Sequence, residues 1–163
     1  MTQAPSLTIR DAGIAEVPQL AKLWYDGWQD AHARILPAQL AQVRTLLNFE
    51  ERPLAGRANV WVVGTTLAPI GFYWLRGAEL YQLYVSATAR GSGVATLLLA
   101  DAEARLRRNE VSTAWLGCAI GNHRAARFYE KCGWMCMGVK NELLEIPGGI
   151  FPLDEWRYEK ALT

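Results

Sequence analysis

The chain has 163 residues, 51% of them apolar and 20% charged, a composition that folds into one globular domain, residues 1–163, and excludes a disordered polymer. Its 17 basic and 16 acidic side chains leave a net charge of +1, too weak a field to gather nucleic acid or an anionic membrane. Cys118, Cys132 and Cys136 are odd in number and lack partners at metal-ligand spacing, so neither a disulfide framework nor a bound metal is expected. Residues 1–5 show no leader pattern and no run reaches the length of a membrane span, so the expected home is the reducing cytoplasm.

Residues 7–10 alternate like a first strand, and Asp11 can cap the helical periodicity of residues 14–32. Pro37 opens a second helix, residues 37–49, with Leu40, Val43 and Leu47 on one side. Residues 60–63 and 70–75 read as strands joined by a hairpin, and residues 79–85 as the next strand. A helix follows, placing Val94, Leu97, Leu98, Ala102 and Leu106 on one stripe, with Asp101, Glu103, Arg105 and Arg108 outside it. The basic cluster Arg105, Arg107 and Arg108 closes that helix and complements its dipole. Residues 113–116 form a strand, 122–132 a helix stopped by Gly133, and 134–139 and 155–160 the last strands. The expected architecture is α/β: one mixed sheet with helices on both faces.

The chemistry starts at the end of the strand 79–85. Arg90-Gly91-Ser92-Gly93-Val94-Ala95 lies between that strand and an apolar helix. Glycines in such a turn let a ligand approach the main chain, and the first amides of the helix favour an anion. The pattern lacks the third glycine of the dinucleotide fingerprint and the Gly-Lys-Ser/Thr ending of the nucleoside-triphosphate loop. It fits Arg-x-x-Gly-x-Ala, read at Arg90, Gly93 and Ala95. A second pattern follows in Asn122-x-x-Ala125-x-x-Phe128-Tyr129-x-x-x-Gly133-Trp134.

Together, in this order, the two patterns resemble the GNAT superfamily of N-acetyltransferases, which use acetyl-coenzyme A. The resemblance covers residues 79–139, and the first part of the chain matches only in its order of elements. It implies a splayed sheet that binds coenzyme A. The diphosphate would lie on Arg90, Gly91, Ser92, Gly93, Val94 and Ala95, and the pantetheine arm along Leu83, Tyr84 and Val85. Asn122, Ala125 and Tyr129 would meet the arm from the far side.

Tyr129 has two readings, a packed core tyrosine on helical spacing or, by the family match, the acid that protonates a departing thiolate. Glu79 is the candidate base for an amine that arrives charged, with an exposed strand-end carboxylate or a water chain as alternatives. Cys118 has no obvious histidine partner, so direct transfer is preferred to an acetylated cysteine. Trp28, His32 and Arg34, near the end of the first helix, read equally as helix packing on the sheet or as acceptor contacts, and Glu79 and Tyr81 are further candidate acceptor contacts. Trp24 reads as core, as do Trp61, Trp115 and Trp134 in their strands. The expected activity is acetylation of a primary amine on a small molecule, with a non-catalytic acyl-coenzyme A sensor as the alternative. Dimers are common in the family, and Leu143, Leu144, Ile150 and Phe151 are the expected apolar surface for one.

Overall fold

The computed structural model describes residues 7–163. Residues 1–5, read above for a leader, lie outside the described residues. In chain order the elements are β1 (Ile9–Asp11), α1 (Val17–His32), α2 (Ala38–Val43), α3 (Leu46–Gly56), β2 (Val60–Gly64), β3 (Pro69–Arg76), β4 (Glu79–Val85), α4 (Val94–Arg108), β5 (Thr113–Ala119), α5 (His123–Lys131), β6 (Met135–Ile146) and β7 (Gly149–Ala161). The strands make one sheet in the order β1-β2-β3-β4-β5-β7-β6. Among the described residues, only β4 and β5 run parallel. The expected mixed sheet is therefore present, in an α+β arrangement. No helix among the described residues is long and apolar enough to cross a membrane.

Alternation along the strands feeds two cores, one on each face. Val62, Phe72 and Trp74 join Leu20, Trp24, Trp28, Leu40 and Phe49 under α1, α2 and α3. Val63, Tyr73 and Leu75 join Leu98, Leu99, Leu106, Ala126 and Tyr129 under α4 and α5. Each fully buried leucine removes enough apolar area to contribute about 1.5–3 kcal/mol. Trp24 and Trp134 are core, as expected. Trp61 and Trp115 are only half-buried, and the guanidinium groups of Arg105 and Arg157 lie over their rings at 4.5 and 4.2 Å.

Several expectations need correction. The helix expected over 37–49 is two helices, broken at Arg44, whose backbone leaves the helical region (φ −86°, ψ 60°). The buried Arg44 guanidinium donates to Asn48 at 3.1 Å and to the Glu145 carbonyl at 3.0 Å. Leu47 is consequently exposed, while Phe49 enters the core. On α4 the buried stripe leans toward Leu99 and Glu103, leaving Leu97 exposed. The Glu103 carboxylate is inside because Lys160 of β7 reaches it at 2.5 Å.

The largest departure is at the tail. The short strands expected at 134–139 and 155–160 are the outer parts of a hairpin of 12- and 13-residue strands. Its inner strand, β7, lies between β5 and β6. Pro152, which would break a central ladder, is tolerated because β5 ends at Ala119, opposite Glu155. Leu144 and Phe151, expected on a partner-facing surface, pack against the α1 core. Leu143 and Ile150 remain exposed.

Candidate active site

The site begins where β4 and β5 part. Their ladder holds a single pair, Glu79 with Trp115, and a bond from the Trp115 amide to the Ala78 carbonyl at 3.1 Å. Beyond it the two strands diverge, and the β5 side of β4 is left without a partner strand. An extended, amide-bearing ligand can complete such an edge.

The gap opens into a cleft of about 410 Å³. Leu83, Tyr84 and Val85 of β4 form its floor, and Asn122, Ala125, Phe128 and Tyr129 its far wall. Arg90, Gly91, Gly93, Val94 and Ala95 close one end, where Arg124 also faces it. Gly91 and Gly93 have φ of +77° and +85°, the left-handed region that side-chain-bearing residues avoid. A Cβ at either would point into open space. Gly93 starts α4, and no side chain caps that 15-residue helix, so its first-turn amides stay open to the cleft. A cradle of amides and two arginines beside an apolar slot fits a diphosphate with a pantetheine arm. Ser92 takes no part in this lining; its hydroxyl donates to the Ala89 carbonyl.

A second cavity, of about 190 Å³, lies on the other side of the gap. It shares Leu83, Tyr84, Asn122, Ala125 and Tyr129 with the cleft, so the two spaces meet at these residues. Trp28, His32, Glu79 and Tyr81 line it, which brings together four of the five expected acceptor contacts. Arg34 is exposed and lines neither space. Asn122 also has a structural task, since its side-chain oxygen caps α5 by accepting from the Ala125 amide at 3.3 Å.

Burial sets the protonation states here. It pushes the Tyr129 phenol above its usual range, so the hydroxyl keeps its proton. Burial also pushes the Cys118 thiol up to about 12, helped by the Glu155 charge. His32 is driven down to about 4 by burial, against the Trp28 backbone carbonyl that favours its charged form. The Glu79 carboxyl is raised by burial and partly restrained by Arg76, 3.5 Å away.

Sequence reading missed several members of the cavity. Glu142, Leu144, Leu153 and Glu155 come from the long hairpin, Leu36 from the turn before α2, Leu40 from α2 and Arg44 from the break after it. The alternation Glu142, Leu144, Ile146 and Phe151, Leu153, Glu155 around Pro147-Gly148-Gly149 was the available signal. Asp30 was also missed; its carboxylate joins α1 to Arg90 at 2.6 Å and Arg124 at 3.4 Å.

A splayed mixed sheet with an amide cradle at one end of the gap and a buried phenol at its centre defines an acyltransferase that uses coenzyme A as acyl carrier. The chain belongs to the acetyltransferase (GNAT) family, whose profile matches residues 17–134. It is an acetyltransferase that depends on acetyl-coenzyme A. Solved structures share its fold. A GCN5-related N-acetyltransferase from Rhodopseudomonas palustris superposes with a TM-score of 0.74 at 16% identity, covering 99% of each chain. The PaiA N-acetyltransferase from Thermoplasma acidophilum, in complex with coenzyme A, gives 0.67 at 18% identity, covering 96% of this chain and 99% of that one. A ribosomal-protein-alanine N-acetyltransferase from Brucella melitensis gives 0.71 at 22% identity, covering 95% and 99%. A comparison with curated proteins gives no match.

Proposed function

We propose that the protein acetylates a primary amine on a small cationic molecule by direct transfer. The supporting observation is the meeting of the two spaces at Leu83, Tyr84, Asn122, Ala125 and Tyr129. Bound acetyl-coenzyme A supplies the acetyl group as a thioester. The amides of Gly91 to Ala95 and the Arg90 guanidinium receive the phosphates, and the free edge at Leu83 and Val85 aligns the arm. Tyr129, protonated throughout the working pH range, donates a hydrogen bond to the departing sulfur and stabilises its charge. Trp28, Tyr81 and the carboxylate of Glu79 receive a charged amine on the acceptor side, where aromatic faces and a carboxylate favour a cation. Cys118 holds its proton too tightly to act as an acetyl carrier.

A cavity of about 190 Å³ suits a small molecule better than a folded surface. A peptide N-terminus is the second reading, favoured by the Brucella structure, named for acetylating an alanine of a ribosomal protein. The same proposal takes the enzyme to be cytoplasmic, with exposed Leu143 and Ile150 available to a second copy.

The test is release of free thiol from acetyl-coenzyme A over a panel of primary amines and N-terminal peptides. Turnover with a small amine is expected, and Tyr129→Phe should lower kcat about 10²-fold with coenzyme A affinity within a factor of two. Unchanged kcat in that variant removes Tyr129 from the mechanism. Tight coenzyme A binding with no turnover on any amine supports an acyl-coenzyme A sensor instead.

A further inference from the structure

Glu155 of β7 stands opposite Ala119 of β5, at the last rung of their ladder. Its carboxylate does not point to solvent but lies across Gly117, so that a Cβ on Gly117 would overlap a carboxylate oxygen. Gly117 sits two residues beyond Trp115, whose pairing with Glu79 joins β4 to β5. Glu155 and Gly117 line the acceptor cavity with Tyr129 and Glu79. Among the described residues, no hydrogen bond or ion pair engages the Glu155 carboxylate. Glu79, by contrast, is held by Arg76.

The charged surroundings of Glu155 are settled by register. On β6, Lys140 lies directly opposite it and is exposed, and Glu142 lies one step along the same face. Arg157, on the same face of β7, is engaged by Glu159 at 3.0 Å and by the Trp115 ring. Glu79 faces it from β4, and Arg44, beyond the end of α2, is bonded to Asn48 and the Glu145 carbonyl.

We infer that Glu155 is the residue that takes the proton from the acceptor ammonium, and that position 117 is glycine to let this carboxylate lie over β5 where the sheet opens. The inference rests on the amine-acetylation reading above and names its base. One N–H bond of the ammonium breaks, and its electron pair stays on nitrogen as the nucleophile. The proton forms an O–H bond on Glu155 and leaves to water when the product departs. Glu79, hydrogen-bonded to Arg76, is a second carboxylate on this side and helps to keep the cation in place. Burial, with Glu142 and Glu79 nearby, raises the Glu155 carboxyl to about 7. A base is most effective when its pKa lies near the working pH.

The first experiment needs no acceptor. Carboxyl carbons of the protein labelled at glutamate are titrated by NMR in wild type and Glu155→Gln. A signal missing from the variant and titrating near pH 7 is expected; titration in the ordinary carboxylate range overturns the inference.

The second experiment follows kcat/KM against pH with acetyl-coenzyme A and primary amines, benzylamine and putrescine among them. Wild type should lose activity tenfold per pH unit below about 7. Glu155→Gln should be lowered about 10²-fold and lose that limb, and Glu155→Asp should recover part of both. Glu79→Gln should raise KM and keep the limb. Gly117→Ala should lower kcat while coenzyme A affinity, measured by calorimetry, stays within a factor of two in all variants. An acid limb lost in Glu79→Gln and kept in Glu155→Gln gives the role to Glu79 and overturns the inference. If wild type acetylates amines and Glu155→Gln does so equally well, this inference alone fails. If wild type acetylates no amine, the reading beneath it fails.

Discussion

Asp30 accepts a hydrogen bond from Arg90 over 2.6 Å, which ties the last turn of α1 to the glycine turn that opens α4. The same oxygen accepts from Arg124 at the start of α5, 3.4 Å away. Arg90, first, and then Arg124 hold the Asp30 carboxyl below its usual range. One carboxylate therefore bridges two arginines that line the glycine-turn end of the cleft. It draws them together, and it also places a negative charge where the proposed diphosphate would lie.

The second effect should prevail, because the pair is exposed and contributes little to stability. Asp30→Ala is expected to bind coenzyme A about 3- to 10-fold more tightly, the size of removing one like charge at short range in a wet site. The gain should shrink as salt rises. Calorimetric titration at two ionic strengths checks this. Weaker binding in the variant would mean that Asp30 acts mainly by positioning the arginines.

Gly93 tests the phosphate cradle itself. Its φ of +85° is strained for any residue with a side chain, and its missing Cβ faces open space. Gly93→Val should cost about 1–2 kcal/mol of stability from backbone strain. It should also weaken coenzyme A binding by tenfold or more, because the side chain enters the space left for the ligand. Thermal unfolding and calorimetry separate the two effects. Intact coenzyme A affinity in a folded variant contradicts the placement of the diphosphate.

The cleft at the glycine turn was legible in the sequence because its signal is local. Arg90 to Ala95 and Asn122 to Tyr129 are contiguous, and the fold adds only the gap between them. The second cavity was legible in part. Trp28, His32, Glu79 and Tyr81 converge as expected, but Glu142 and Glu155 arrive by a hairpin whose register no short window reveals. Polar residues such as Lys140 and Asn141 interrupt its apolar pattern, and Pro152 argues against a central strand. Arg44 fits a helical pattern in the sequence, and only its bonds to Asn48 and Glu145 explain the break there. Arg34 was a candidate because it lies near the end of the first helix, yet that helix ends at His32 and Arg34 is exposed.

Cys118 offers a check on direct transfer. Its thiol lies in the buried floor of the acceptor cavity and is raised to about 12, whereas Cys136 is exposed. At pH 8 the thiolate fraction of Cys118 is then on the order of 10⁻⁴, and alkylation follows that fraction. Iodoacetamide should modify Cys136 at least 10²-fold faster than Cys118 in the native protein, with the difference lost on unfolding. Mass spectrometry after incubation with acetyl-coenzyme A should find no acetyl group on Cys118. An acetylated Cys118 that is consumed on adding amine would replace direct transfer with a two-step route.

His32 predicts how stability responds to acid. The imidazole is packed against the Trp28 ring at 5.6 Å and the Tyr84 ring at 6.5 Å, and burial lowers it to about 4. The unfolded chain titrates near 6.5, so between these values the unfolded state binds the proton that the folded state excludes. The neutral histidine is fully accommodated above pH 6.5, and stability is lost as pH falls from there toward 4. Discounted for partial exposure, the loss is about 2–3 kcal/mol at 1.36 kcal/mol per unit. His32→Phe keeps an aromatic ring in the same place and has no proton to bind. Urea unfolding from pH 7.5 to 4 should therefore show a shallower loss in the variant, with the two curves diverging only below about pH 6.5. Parallel curves across that range would show that the imidazole charges without penalty and is reached by water.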